Sequence, residues 1–131
     1  MSQNIILTHQ EIEHKIKRIA YQIYETFVDE EEIVLAGITK NGFVFAQKIA
    51  TALALIAPIK VSLCEVELNK HQPDLAIRTS LAKENYTEKG LVLVDDVLNS
   101  GTTLIYAVRH FLEVPLKKFK TAKGDTRSYF K

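Results

Sequence analysis

Directly after the aliphatic run Leu91-Val92-Leu93-Val94, the chain reads Asp95-Asp96-Val97-Leu98-Asn99-Ser100-Gly101-Thr102-Thr103 and then continues in an apolar pattern at helical spacing. Each residue type here suits one half of a phosphorylated sugar. A helix starting near Gly101 offers unpaired backbone N–H groups and the positive end of its dipole to an anion. Gly101 lets the backbone pass close to that anion, and the hydroxyls of Ser100, Thr102 and Thr103 add donors. Two adjacent carboxylates would repel a phosphate that they faced, so Asp95 and Asp96 are better suited to accepting hydrogen bonds from sugar hydroxyls or to acting through Mg2+. Ribose carrying a phosphate satisfies both halves. Simple helix capping explains a Ser/Thr/Gly cluster on its own, but not its fixed order behind a buried strand and two acids.

A second candidate anion loop is Gly37-Ile38-Thr39-Lys40-Asn41-Gly42. It has the glycine spacing of a nucleotide P-loop but continues as Phe43-Val44 where Lys-Ser/Thr is required, and no G-x-G-x-x-G occurs. Lys40 and the backbone donors of Thr39, Asn41 and Gly42 suit a diphosphate. The bland alternative is a glycine easing a turn beside a solvated lysine.

The elements that must position these residues follow from periodicity. Thr8-His9-Gln10-Glu11 has capping-box spacing, and Ile12, Ile16, Ile19, Ala20, Ile23 and Phe27 recur on one face, which predicts a helix over 8–27. Residues 33–38 are a continuous apolar run of the kind buried on both faces of a parallel sheet. A polar loop over 39–42 and a second helix carrying Phe43, Ala46, Ile49, Ala50, Leu53 and Ala54 come next, and residues 59–66 form another strand. Residues 69–88 mix Asn, His, Gln, Pro, Glu and Lys without a clear period and are read as a mobile flap, with a short strand near 75–78. Residues 91–94 are a strand, 95–103 a loop, and Leu104, Ala107, Val108, Phe111 and Leu112 mark a helix ended near Pro115. An edge strand over 117–122 completes the reading. Strands alternating with helices predict a parallel three-layer α/β sheet with helices on both faces.

The 131 residues suit a single domain over 1–131. Apolar and charged residues, at 47% and 25%, are ordinary for a globular chain, and no apolar run is long enough to span a bilayer as a helix. Met1-Ser2-Gln3-Asn4 lacks a secretory n-region, and one cysteine, Cys64, forms no internal disulfide, so a cytoplasmic location is expected. A net charge of +1 gives no global reason for nucleic-acid binding, although Lys117, Lys118, Lys120, Lys123, Arg127 and Lys131 face only Asp125 in the last stretch. His9, His14, His71 and His110 lack metal-ligand spacing, Cys64 reads as a core residue, and the tyrosines form no stacking platform.

The segment Leu91-Val92-Leu93-Val94-Asp95-Asp96-Val97-Leu98-Asn99-Ser100-Gly101-Thr102-Thr103 resembles the PRPP-binding signature of type I phosphoribosyltransferases. The resemblance implies a parallel-sheet fold with helices on both faces. It also implies that Asp95 and Asp96 hold the ribose 2′- and 3′-hydroxyls while the loop from Asn99 to Thr103 (Asn99, Ser100, Gly101, Thr102, Thr103) holds the 5-phosphate. The loop with Thr39, Lys40, Asn41 and Gly42 falls where the family places its pyrophosphate loop, which often contains a non-proline cis peptide, expected here before Lys40. Asp95, Asp96 and Lys40 are then the catalytic residues. The implied reaction is Mg2+-dependent displacement of pyrophosphate from PRPP by a nucleobase nitrogen, with the metal reached by Asp95 and Asp96 through water and not by direct ligation. Members acting on 6-oxopurines place Asp where Asn99 stands, and Asn cannot be a general base. The wording is closer to the uracil phosphoribosyltransferase and pyrimidine-operon regulator subfamily, which implies a pyrimidine such as uracil and a homodimer. Family members continue beyond the edge strand into a segment that covers and reads the base, so a shortened C-terminal cover is expected. Two alternatives accompany this reading: a PRPP- or nucleotide-sensing regulator that binds RNA through its basic surface, and a catalytically silent PRPP-binding domain.

Overall fold

The structure is a computed structural model that describes residues 2–69, 72, 76–97, 99 and 101–124, with side chains in the first helix described from residue 10 onward. Helix α1 (Ser2–Thr26) leads into strand β1 (Glu32–Ile38), helix α2 (Thr39–Ala54) and strand β2 (Lys60–Glu67). A short strand β3 (Arg78–Thr79) and a single 3-10 turn (Lys83–Asn85) follow. The chain then forms β4 (Gly90–Asp96), α3 (Gly101–Phe111) and β5 (Lys118–Gly124).

One five-stranded sheet has the order β3-β2-β1-β4-β5. Strands β2, β1, β4 and β5 run parallel, whereas β3 pairs antiparallel with the end of β2 through Val66↔Thr79 and Glu67↔Arg78. The expected parallel sheet is found, with one antiparallel strand added at its edge. Among the described residues no helix lies between β2 and β3, and an antiparallel return needs none. Both faces are covered. Ile12, Ile16 and Ile23 of α1 and Phe45, Ile49 and Leu53 of α2 pack on Ile33, Leu35, Val92 and Val94. Ala107 and Phe111 of α3, with Tyr86, pack on Val34, Ala36, Ile38, Leu91 and Leu93 on the opposite face. Strands enclosed in this way read as unbroken apolar runs because neither face meets water.

Several boundaries differ from the sequence expectation. Helix α1 begins at Ser2, so the box at Thr8 is not a helix start. No Gly or Pro interrupts residues 2–8, and helix elongation adds one hydrogen bond for each residue fixed. Helix α2 begins at Thr39, which turns the expected polar loop over 39–42 into its first turn. Strand β4 runs on through Asp96, and so both acids lie on a strand end. The flap reading also fails for residues 76–88. Tyr86 is completely buried and meets the Phe111 ring edge-on with centroids 5.0 Å apart, while the Ser80 hydroxyl accepts a hydrogen bond from the Glu65 N–H at 2.8 Å. The expected strand near 75–78 is found as Arg78–Thr79, and the edge strand over 117–122 as Lys118–Gly124. His71 and Ser100, together with Asp125, Arg127, Tyr129 and Lys131 of the basic tail, lie outside the described residues.

Candidate active site

The order β2-β1-β4 makes the carboxyl edge between β1 and β4 a topological switch point, where successive crossovers leave in opposite directions and open a crevice. Both candidate motifs lead out of that edge, one after Ile38 and the other after Asp96. Their backbones touch. A Cβ on Gly42 would stand 2.9 Å from the carbonyl oxygen of Val94, and one on Gly37 would stand 2.4 Å from the Cα of Phe43. Glycine at both positions lets the start of α2 sit against β1 and β4.

On the β4 side, Asp95 and Asp96 are 1% and 0% exposed. Both stand where β4 is still paired with β5, Asp95 opposite Lys123 and Asp96 opposite Gly124, and the Val97 N–H donates to the Gly124 carbonyl at 2.8 Å. Asp95 Oδ1 accepts two hydrogen bonds, from the Asn99 side-chain amide at 2.8 Å and from the Asp96 N–H at 2.9 Å. Its other oxygen, Oδ2, is buried and finds no hydrogen-bond partner among the described residues. A buried carboxylate oxygen left without a donor is costly in an unliganded chain and is the kind of atom a ligand hydroxyl completes. Burial raises the Asp95 pKa above its ordinary value; the Asn99 and Asp96 donors and the charge of Lys123 oppose that rise, and the neighbouring Asp96 charge adds to it.

Beyond the acids, the Asn99 N–H closes a turn onto the Asp96 carbonyl at 2.9 Å, and α3 starts at Gly101. No acidic residue lies in the first turn of α3, so nothing there offsets the positive end of its dipole. Gly101 does not take a positive φ. A Cβ there would meet nothing within 4 Å. The glycine leaves space open at the helix start. Thr102 is exposed and Thr103 is buried.

On the β1 side, no peptide bond among the described residues is cis, so the expected cis bond before Lys40 is absent. Thr39 carries φ 62° in its place, the left-handed conformation that β-branched residues avoid, and its Oγ1 is buried without a described partner. This one residue turns the extended chain at Ile38, with φ −80° and ψ 120°, into α2, whose N-cap makes no side-chain hydrogen bond. Thr39, Lys40 and Asn41 line a cleft of 370 Å³ together with Glu65, Glu67 and Leu68. Lys40 thus shares this cleft with two acids of β2. Sequence reading missed Glu65 and Glu67 at this cleft; their alternation in Cys64-Glu65-Val66-Glu67 was the available signal, because it sends both side chains to one face of the sheet.

No group of His, Cys, Asp and Glu side chains suited to holding a metal by itself occurs among the described residues. Mg2+ characteristically keeps its waters and binds through one or two carboxylates together with substrate phosphates. Asp95 and Asp96, hard oxygen donors with one buried oxygen unpartnered, fit an ion of that kind brought in with a diphosphate. Among the described residues, no helix is long and apolar enough to cross a membrane.

Comparison with known proteins agrees with this geometry. Residues 2–123 match the phosphoribosyl transferase domain family. The bifunctional protein PyrR of Fusobacterium nucleatum subsp. nucleatum is 32% identical over 130 residues, covering 94% of this chain and 71% of that protein. Its namesake from Streptococcus sanguinis is 33% identical over 95 residues, covering 71% of this chain and 55% of the relative. The chain thus spans between about half and seven tenths of these relatives' lengths. A hypoxanthine-guanine phosphoribosyltransferase from Bacillus anthracis superposes with a TM-score of 0.66 at 26% identity, covering 87% of this chain and 65% of that one. A hypoxanthine phosphoribosyltransferase from Staphylococcus aureus, at 14% identity and the same TM-score of 0.66, shares the fold. With its sheet order, its acid pair at the switch point and this match over nearly the whole chain, the protein belongs to the type I phosphoribosyltransferase family.

Proposed function

We propose that this chain is one phosphoribosyltransferase domain over residues 1–131, which binds PRPP with Mg2+ and transfers ribose 5-phosphate to a nucleobase, a pyrimidine such as uracil, releasing pyrophosphate. The observation that carries this reading is Asp95 Oδ2, buried and without a described partner at the switch point, with an open helix start beyond it. In the reaction a nucleobase nitrogen forms a bond to C1 of the ribose while the bond from C1 to the diphosphate oxygen breaks, the electron pair leaves with pyrophosphate, and the proton of the nitrogen is released to water. Asp95 and Asp96 hold the ribose hydroxyls and so fix the ring on which oxocarbenium character develops. The loop from Asn99 to Thr103 holds the 5-phosphate through the backbone N–H groups at the start of α3 and the hydroxyls of Ser100, Thr102 and Thr103. Thr39, Lys40, Asn41 and Gly42 receive the diphosphate, Lys40 supplying charge and α2 its uncapped N–H groups. Mg2+ bound with the diphosphate neutralises leaving-group charge. No protein nucleophile is required.

The preference for a pyrimidine rests on Asn99, whose amide is engaged with Asp95 and offers no acid to a purine ring nitrogen. A homodimer in the cytoplasm belongs to the same reading. The regulatory alternative, PRPP or nucleotide sensing with RNA bound on a basic face, fits the word bifunctional in the relatives' name. It is narrowed by the basic edge itself. Lys118 donates to the Thr26 carbonyl at 2.7 Å and Lys117 pairs with Glu30 at 3.1 Å, so both have work within the fold.

Calorimetric titration with PRPP and Mg2+, followed by a nucleobase panel monitored for pyrophosphate release, tests the proposal. Binding with turnover of one base supports transfer and names the substrate. Binding without turnover of any base excludes transfer by this chain and favours sensing or a silent domain, and absence of PRPP binding sinks the site assignment.

A further inference from the structure

Asn99 lies between β4 and α3, only 8% exposed, and is engaged twice within the site. Its backbone N–H closes the turn onto the Asp96 carbonyl at 2.9 Å. Its side-chain amide reaches back to Asp95 Oδ1 at 2.8 Å, an atom that already accepts the Asp96 N–H at 2.9 Å. The turn needs only the backbone bond. The side-chain bond does something different: it saturates one oxygen of the carboxylate and fixes the plane of the group, leaving Oδ2 as the acceptor that remains. The other charged groups at this carboxylate are Asp96, next in the chain, and Lys123, opposite on β5. Neither of them makes a described hydrogen bond to Asp95 through its side chain.

We infer that Asn99 is a positioning residue, whose amide holds the Asp95 carboxylate so that Oδ2 is presented to one sugar hydroxyl of the ribose-phosphate ligand. This rests on the ribose-phosphate reading of the site. It assigns Asn99 to the sugar through Asp95 and not to the base, and it makes recognition of that hydroxyl depend on a residue that does not touch it. A positioning donor of this kind matters only for ligands that carry the hydroxyl.

The test compares ribose 5-phosphate with its 2-deoxy and 3-deoxy analogues by calorimetry on the full chain, in the wild type, in Asn99→Ala and in Asn99→Leu, which keeps the volume without the donor. The wild type should prefer ribose 5-phosphate over one of the two analogues by about tenfold, as expected for one hydrogen bond to a charged group. In the variants that preference should shrink to about twofold or less, because ribose 5-phosphate loses more affinity than that analogue does. Equal weakening for all three ligands, or an intact preference, overturns the inference and leaves the site reading standing. A wild type that binds ribose 5-phosphate but discriminates against neither analogue also overturns it. If the wild type binds neither ribose 5-phosphate nor PRPP, the site reading itself falls and takes the inference with it. Circular dichroism of each variant guards against unfolding, and should Asn99→Ala fail to fold, the Asn99→Leu comparison decides.

Discussion

The two halves of the switch-point crevice are built by opposite means. After β4, the chain places charged side chains at the end of a buried strand, and Asn99 and a backbone N–H hold one oxygen of Asp95 by named bonds. After β1, it relies on backbone. A β-branched residue in a left-handed conformation starts a helix with no side-chain cap, glycines at 37 and 42 allow close approach, and the lysine is exposed. Selective hydroxyl recognition needs acceptors set in advance. Holding a diffuse, highly charged diphosphate needs donors and an open path for departure. The difference suits a ligand whose sugar stays while its diphosphate leaves.

The largest expected effect breaks the β4 half. Asp95→Asn combined with Asp96→Asn should weaken PRPP binding roughly 100-fold or more, since two hydrogen bonds to charged acceptors are lost. The fold should persist, because both side chains keep their shape, and calorimetry beside circular dichroism separates the two outcomes. Next come the glycines of the β1 half. Gly37→Ala and Gly42→Ala force a Cβ to within 2.4 Å of the Phe43 Cα and 2.9 Å of the Val94 oxygen, so urea unfolding should show a loss of about 2 kcal/mol or more for each. By contrast, Gly101→Ala meets nothing within 4 Å and should leave stability within about 0.5 kcal/mol while lowering PRPP affinity. A stability loss at Gly101 equal to that at Gly42 would erase the distinction drawn here.

Thr39→Gly should sharpen it. Relieving the left-handed strain, less the entropy that glycine loses on folding, is expected to raise stability by about 1 kcal/mol, again read from urea unfolding. Destabilisation would mean that Thr39 is well accommodated. The smallest effect concerns pH. Asp95 binds its proton more tightly in the folded than in the unfolded chain, so between its unfolded value of 3.8 and its higher folded value the native state holds more protons. Its contribution therefore lowers stability as pH rises through that window and stays lowered above it. Asp95→Asn should remove this slope, so that the variant gains stability relative to wild type as pH increases from about 4 to 7. A difference independent of pH would refute the burial assigned to Asp95.

Much of this was legible in the sequence. The runs over 33–38 and 91–94 announced central strands because strands buried on both faces carry no polar alternation, and the acid pair marked the end of β4 before a helix start. Other features were not legible. Tyr86 looked like part of a polar flap until its ring was seen against Phe111, and Thr39 looked like a loop residue although it begins α2. A helix boundary can shift by a few residues at little local energetic cost, and a single anchoring aromatic has no periodicity.

What the sequence determined by itself is the set of local units: which runs are apolar enough to be strands, which faces of helices seek a core, and which polar cluster sits between a strand and a helix. Their chemistry depends on neighbours along the chain, and neighbours along the chain are what a sequence displays. Tertiary structure decided the rest. It set β4 beside β1 so that the two loops meet, buried Asp95 and Asp96 at the end of β4, turned Glu65 and Glu67 into the cleft of Lys40, and left one oxygen of Asp95 without a described partner. Each of those facts joins residues far apart in the chain, and only packing, by removing water and choosing which donors remain within reach, establishes them.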